Sequence, residues 1–190
     1  MTEKEYISQF STEVNQALSW LEKETHIRTN HPRMLSGQDV GHLLNFLVKE
    51  TAAGNILEIG VFTGYSSICL ASGLGPNGHL DALEIKDELE DLILSGYRRA
   101  GVSDKITLRF GDAKEIIPTL GSTYDLVYID ADKREYPTYY RMVFDKVRVG
   151  GLIIADNVLW DGKCLPTMYL RTPRQWVSTI STKPWLKIPG

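Results

Sequence analysis

From Asn55 to Asp156 the chain alternates short apolar runs with segments of helical period, and this alternation limits the possible folds more than any other feature. The sequence predicts strands at Ile56–Ile59, His79–Glu84, Ile106–Phe110, Asp125–Asp130 and Leu152–Asp156, and helices at about Tyr65–Ser72, Lys86–Ala100, Ala113–Leu120 and Tyr136–Lys146. Strand-helix alternation of this pitch makes an α/β fold, a doubly wound, mainly parallel sheet with right-handed crossovers. Ligands of such sheets gather at the carboxyl ends of the strands. Val127-Tyr-Ile-Asp-Ala-Asp-Lys133 and Leu152-Ile-Ile-Ala-Asp-Asn157 therefore bring Asp130, Asp132, Lys133, Asp156 and Asn157 toward one crevice. Oxygen donors with one amine suit a hard divalent cation such as Mg²⁺ or Ca²⁺, and the thiolates and imidazoles that zinc favours are missing from the set.

The turn after the first strand, Leu57-Glu-Ile-Gly-Val-Phe-Thr-Gly-Tyr-Ser66, opens onto a helix N-terminus. It holds only Gly60 and Gly64, so it is neither the G-x-G-x-x-G dinucleotide fingerprint nor a G-K-[ST] phosphate loop. A nicotinamide oxidoreductase is disfavoured on that spacing. Glu84 ends the next strand, where an acid accepts hydrogen bonds from ribose hydroxyls, and Gly111-Asp112-Ala113 ends the third, where small residues border an adenine ring.

At 190 residues and a formal net charge of -3, with no basic block, the chain is of single-domain size and no nucleic-acid partner is expected. No apolar run approaches the roughly 18 to 20 residues of a membrane span and the N-terminus lacks a signal core, so a cytoplasmic protein away from membranes is expected. Cys69 and Cys164 fit neither a disulfide framework nor a metal knuckle. Ahead of the alternating region, Ile7, Phe10, Val14, Leu18 and Leu21 predict one amphipathic helix over Tyr6 to Glu24 that packs on the body or on a partner. A second helix is expected from about Asp39 to Thr51, with Val40, Leu43, Leu44, Leu47 and Val48 inside, after a breaker at His31-Pro32.

Glu58-Ile-Gly-Val-Phe-Thr-Gly-Tyr-Ser66, Gly111-Asp-Ala113, Asp130-Ala-Asp-Lys133 and Ala155-Asp-Asn-Val-Leu-Trp160 together resemble the cation-dependent, S-adenosylmethionine-dependent O-methyltransferases of the caffeoyl-CoA and catechol type. The resemblance runs from about residue 5 to Lys163. It implies a Rossmann-like class I methyltransferase sheet, S-adenosylmethionine as cofactor with a divalent cation, a small hydroxylated acceptor and a homodimer. By that resemblance Glu58, Gly60, Ser66, Glu84, Asp112, Ala113 and Asp130 match cofactor-contacting positions, with Leu35 near the methionine end. Asp130, Asp156 and Asn157 match the metal ligands, Lys133 the general base, Trp160 the wall of the acceptor pocket, and Ser36 an extra neighbour of the metal. In domain terms this separates N-terminal helices and an acceptor-side loop (1–53), a cofactor-binding α/β core (54–163) and a tail (164–190).

The chemistry suits these residue types. A phenol with a pKa of ~10 is a poor nucleophile at neutral pH, and a cation bound to both hydroxyls of a catechol stabilises its phenolate. Lys133 then takes the proton, since a lysine beside a divalent cation is driven toward its neutral form. Each residue also has a plainer role open to it. Asp130 and Asp156 could cap loops, Lys133 could be a solvated surface lysine, and Tyr136, Tyr139 and Tyr140 at helical spacing read as packing residues. His26, His31, His42 and His79 have no ligand spacing, and Cys69 reads as a small core residue.

The tail departs from the rest. After Asp161 there is no Asp or Glu, and four of the chain's eight prolines fall between Pro166 and Pro189. If one nucleotide was lost just after the Lys163 codon, permissible codons for the tail read in the restored frame as VLADHVPPYAQTVGVDDFNKTVAEDP, acidic and helix-compatible like the family's usual continuation. Residues 164–190 are therefore expected to be an out-of-frame translation, lacking the last two strands of the family sheet and leaving Leu152–Asp156 as an open edge. The competing function is a non-catalytic S-adenosylmethionine-binding or scaffold protein.

Overall fold

The structure, a computed structural model, describes residues 3–158. Trp160 and the tail at 164–190, with the expectations placed on them, lie outside the described residues. Seven helices and five strands are described: α1 (Glu3–Phe10), α2 (Ala17–Arg28), α3 (Gly37–Glu50), β1 (Asn55–Ile59), α4 (Tyr65–Gly73), β2 (His79–Glu84), α5 (Glu90–Ala100), β3 (Ile106–Phe110), α6 (Ala113–Ile116), β4 (Tyr124–Ile129), α7 (Tyr136–Phe144) and β5 (Val147–Ala155). The strands form one parallel sheet in the order β3-β2-β1-β4-β5, so the winding reverses beside β1 and the expected doubly wound α/β fold is present.

Each face of the sheet carries its own core. Ile56, Leu80, Ala82, Leu126 and Tyr128 pack against α2, α3, α4 and α5 through Leu21, Leu44, Val48, Ile68 and Ile93. Leu57, Ile59, Leu83, Val127 and Ile129 pack on the other face against Ala113, Tyr136, Tyr139 and Val143 of α6 and α7. The N-terminal segment thus shares a hydrophobic cluster with the α/β core.

The single helix expected over Tyr6 to Glu24 is two. Asn15 breaks it: its Oδ1 accepts the Ala17 N–H at 3.0 Å and its Nδ2 donates to the Ala100 carbonyl at 3.0 Å. A side chain that satisfies backbone groups this way competes with helix continuation. The apolar stripe is split accordingly, with Leu18 and Leu21 buried while Ile7 and Phe10 on α1 are exposed. Leu43, expected inside, is also exposed. The fifth strand begins earlier than expected, at Val147, because pairing with β4 continues past a register shift between Tyr124 and Leu126. Gly150, at φ +78°, absorbs that irregularity.

The carboxyl edge of the sheet is laced together beyond the strand ends. Gly60 N–H donates to the Leu83 carbonyl, Gly111 N–H to Glu84, Asp130 N–H to Ile59 and Asp156 N–H to Ile129, all at 2.8 to 3.0 Å. The four loops that carry the candidate residues are thereby anchored side by side.

Candidate active site

A cleft of about 1390 Å³ opens over this edge. Leu35 and Ser36 border it from the N-terminal segment, Gly60, Ser66, Glu84 and Ala113 from the β1, β2 and β3 ends, and Asp130, Lys133, Asp156 and Asn157 from the β4 and β5 ends. Two candidates stand outside the lining. Asp112 caps α6, its carboxylate accepting the Lys114 N–H at 2.8 Å. Glu58 is fully buried behind the cleft, facing α4, where Ser67 donates to its Oε2 and Oε1 has no partner among the described residues. Burial pushes the Glu58 carboxyl from its ordinary 4.5 to about 7, against the pull of the Ser66 and Ser67 hydroxyls, and the charges of Asp130 and Glu84 add to the rise.

Glu84 organises the glycine loop. Its Oε2 accepts the N–H groups of Val61 and Phe62 at 2.9 and 2.7 Å, and its Oε1 those of Ile85 and Lys86 at 2.9 and 3.0 Å. Four backbone donors use the four lone-pair sites of the carboxylate. They also hold Phe62 at φ +55°, a left-handed conformation costly for a bulky residue. Gly60 serves packing as much as ligand approach: at φ +94°, a Cβ there would come within 2.4 Å of the Asp130 carbonyl oxygen. Thr63 completes the loop, accepting a 2.9 Å hydrogen bond from the buried Thr25 hydroxyl of α2.

The other half of the cleft is held by side chains. Lys133 Nζ donates to Asp130 Oδ1 at 2.7 Å, and the Tyr128 hydroxyl donates to Asp156 Oδ2 at 2.9 Å. Burial pushes the Asp130 carboxyl above the usual carboxylate range; Lys133 pulls it back and the neighbouring Asp156 charge pushes it further up. Asn157 is exposed at φ +52°, a backbone region asparagine tolerates, and its N–H caps Asp156 Oδ1 at 2.6 Å. Asp132 takes the capping role, accepting the Arg134 N–H at 3.1 Å.

The donor chemistry of Asp130, Asp156 and Asn157 fits a hard cation, because the nearby Asp156 charge raises the Asp130 carboxyl and a positive charge between the two would relieve that repulsion. No group of three acidic, histidine or cysteine side chains suited to a metal occurs among the described residues, so a third oxygen must come from Asn157 or the ligand. Tyr136, read from sequence as a packing residue, is buried but also hydrogen-bonds into the strand ends. Its position three residues after Lys133, at the start of a helix, was the available signal.

Comparison with known proteins fits this geometry. The family model for O-methyltransferases matches residues 8–176. The chain belongs to the O-methyltransferase family. It is 41% identical over 143 residues to caffeoyl-CoA O-methyltransferase 1 of Eucalyptus globulus, covering 72% of this chain and 58% of that protein. Against caffeoyl-CoA O-methyltransferase 5 of Nicotiana tabacum the identity is 38% over 144 residues, covering 72% and 60%. The chain thus spans less than two thirds of the length of these curated relatives. Among solved structures, the O-methyltransferase TomG of Streptomyces achromogenes, in complex with SAM, superposes with a TM-score of 0.89 at 28% identity, covering all of this chain (100%) and 89% of that one. The O-methyltransferase of Bacillus cereus, in complex with SAH, gives 0.89 at 28%, covering 97% and 85%. Members of the family have therefore been seen with this cofactor and its product on the same fold.

Proposed function

We propose that this chain transfers the methyl group of S-adenosylmethionine to a hydroxyl of a small phenolic or catechol-like acceptor, with help from a divalent cation. The observation that carries the reading is that one cleft joins two unlike halves, the Glu84-held glycine loop and the Asp130, Lys133, Asp156 and Asn157 group. The first half offers a rigid cradle for the nucleoside end of the cofactor, and a ribose hydroxyl reaching Glu84 shares an oxygen with a backbone N–H. Leu35 and Ser66 border the side nearer the methionine. The second half faces the acceptor, as the caffeoyl relatives suggest by name, with Trp160 as a further wall.

A cation such as Mg²⁺ or Ca²⁺, held by Asp130, Asp156 and Asn157 with Ser36 nearby, would supply Lewis-acid stabilisation of the acceptor's oxygen. Lys133 Nζ lies within reach of Asp130, and once it has given up its ammonium proton to solvent its neutral amine would receive the acceptor's proton. The cleft walls would have to hold the acceptor oxygen, the methyl carbon and the sulfur in line, which would be a source of several kcal/mol of barrier lowering. Methyl transfer from S-adenosylmethionine to 3,4-dihydroxybenzoate, assayed with and without Mg²⁺, tests the reading. Transfer only with the cation supports it; S-adenosylhomocysteine binding without transfer to any catechol leaves a non-catalytic binding protein.

Two further proposals belong with this one. Exposed Tyr6, Ile7 and Phe10 on α1 give a homodimer an apolar contact, to be tested by sedimentation. The residues 164–190 are proposed to be out of frame, and resequencing that finds the frame intact, with close relatives carrying the same tail, defeats that reading.

A further inference from the structure

The hydroxyl of Tyr136 lies between three groups that the proposed reaction needs in register. Tyr136 opens α7 and is 1% exposed. Its oxygen accepts from Lys133 Nζ at 2.6 Å, and its single proton is shared between the Ile129 carbonyl, the last of β4, and the Asp156 carbonyl just past β5, each at 3.0 Å. The lysine ammonium also lies 4.9 Å from the centroid of the Tyr136 ring, and its other partner is Asp130 Oδ1 at 2.7 Å. The phenol oxygen and the Asp130 carboxylate therefore both hold the cation.

A lysine stem has four rotatable carbons and much rotamer entropy, and a lone ion pair at the protein surface seldom fixes such a side chain. Lys133 and Asp130 are still 19% and 20% exposed, so the Asp130 contact alone leaves the ammonium free to exchange into water. The second anchor changes that. The same hydroxyl also closes the gap between the ends of β4 and β5, next to the Asp156 N–H that donates to Ile129, while Tyr128 fixes the Asp156 carboxylate from the opposite face.

We propose that Tyr136 is a positioning residue that fixes the Lys133 ammonium against Asp130 and clamps the end of β5 to the end of β4. Its catalytic consequence rests on the methyl-transfer reading above; the positioning itself does not.

Tyr136→Phe removes the oxygen and keeps the ring and its packing. At one fixed pH, brief acetylation with acetic anhydride read by mass spectrometry is expected to label Lys133 at least fivefold faster in Tyr136→Phe than in the parent chain, with Lys86 and Lys114 unchanged. In methyl transfer to 3,4-dihydroxybenzoate the variant should lose about tenfold in kcat, with acceptor KM and S-adenosylhomocysteine affinity within twofold. Equal labelling of Lys133 in the two chains overturns the positioning, and an unchanged kcat overturns its catalytic consequence. A parent chain that transfers no methyl group defeats the methyltransferase reading alone, and the labelling comparison still decides the positioning. Should the variant not fold, the parent chain decides: Lys133 labelling as fast as exposed Lys86 overturns the anchor, and labelling at least fivefold slower supports it.

Discussion

Glu84, on the β1–β2 side of the cleft, is balanced by four backbone N–H groups, whereas Asp130 and Asp156, on the β4–β5 side, rely on an ammonium, a phenol and one backbone N–H. Backbone donors cannot leave without unfolding the loop that carries them, so the first half is fixed before any ligand arrives. Side-chain donors can be exchanged for a cation or for the hydroxyls of an acceptor at little structural cost. The difference teaches that one cleft can pair a pre-organised cradle with an adjustable charged site, and it should appear as two classes of mutational effect.

The largest effect is expected from Glu84→Ala. Four N–H groups lose their acceptor at once, and an unsatisfied buried donor costs ~1–3 kcal/mol. Water will reach some of them, so a loss of about 4 kcal/mol in unfolding free energy by urea titration is expected, together with loss of S-adenosylhomocysteine binding by calorimetry. A variant that keeps both properties would show that the glycine loop holds its shape without this carboxylate. Lys133→Met lies on the other side of the comparison. It should lower methyl transfer by roughly 10² to 10³ in kcat, the scale of a lost general base, and leave cofactor-product affinity within about twofold. A tenfold loss of that affinity would break the division of labour between the halves.

The legibility of the chain follows the same division. All five strands could be read from the sequence, and β2 and β3 match to the residue: β2 is buried along nearly its whole length, while the half-buried edge strand β3 shows itself by the alternation of Ile106, Leu108 and Phe110. Helices were less exact where local chemistry intervened: a 3₁₀ turn over Asp87–Leu89 precedes α5, and α6 yields to another over Ile117–Thr119, where Pro118 has no N–H to give. Glu84 was visible as an acid at a strand end, but its donors at Val61 and Phe62 are 23 and 22 residues away and carry no side-chain signal. Tyr136 does pack in the core as expected, and its hydrogen bonds were hidden for a similar reason. Its acceptors are the Ile129 and Asp156 carbonyls, which become neighbours only when β4 and β5 pair.

Glu58 makes the cradle side sensitive to pH. Its carboxyl titrates near 7 in the folded chain against an ordinary 4.5, so between those values the folded state binds more protons than the unfolded one. Stability must then fall as pH rises through that window and level off above it, a total of roughly 3 kcal/mol by linkage. Glu58→Gln removes the titration. Urea unfolding at pH 4.5 and at pH 8 should show the parent losing stability between the two and the variant losing about 3 kcal/mol less, since the amide has no proton to titrate in this range. Equal pH slopes would mean that Glu58 is ionised in the fold and that water reaches Oε1.

The smallest effect tests whether the wiring of the cradle extends to α2. The Thr63 hydroxyl is fully buried 2.9 Å from that of Thr25, whose single proton is shared between Thr63 and the Leu21 carbonyl. Thr63→Val keeps the shape and removes one acceptor, while Thr25 retains the Leu21 carbonyl as an alternative for its single proton. The expected cost is about 1 kcal/mol, with S-adenosylhomocysteine affinity reduced less than threefold. If binding instead falls as far as in Glu84→Ala, the loop depends on α2 as much as on the carboxylate, and the cradle must be redrawn to include the N-terminal segment.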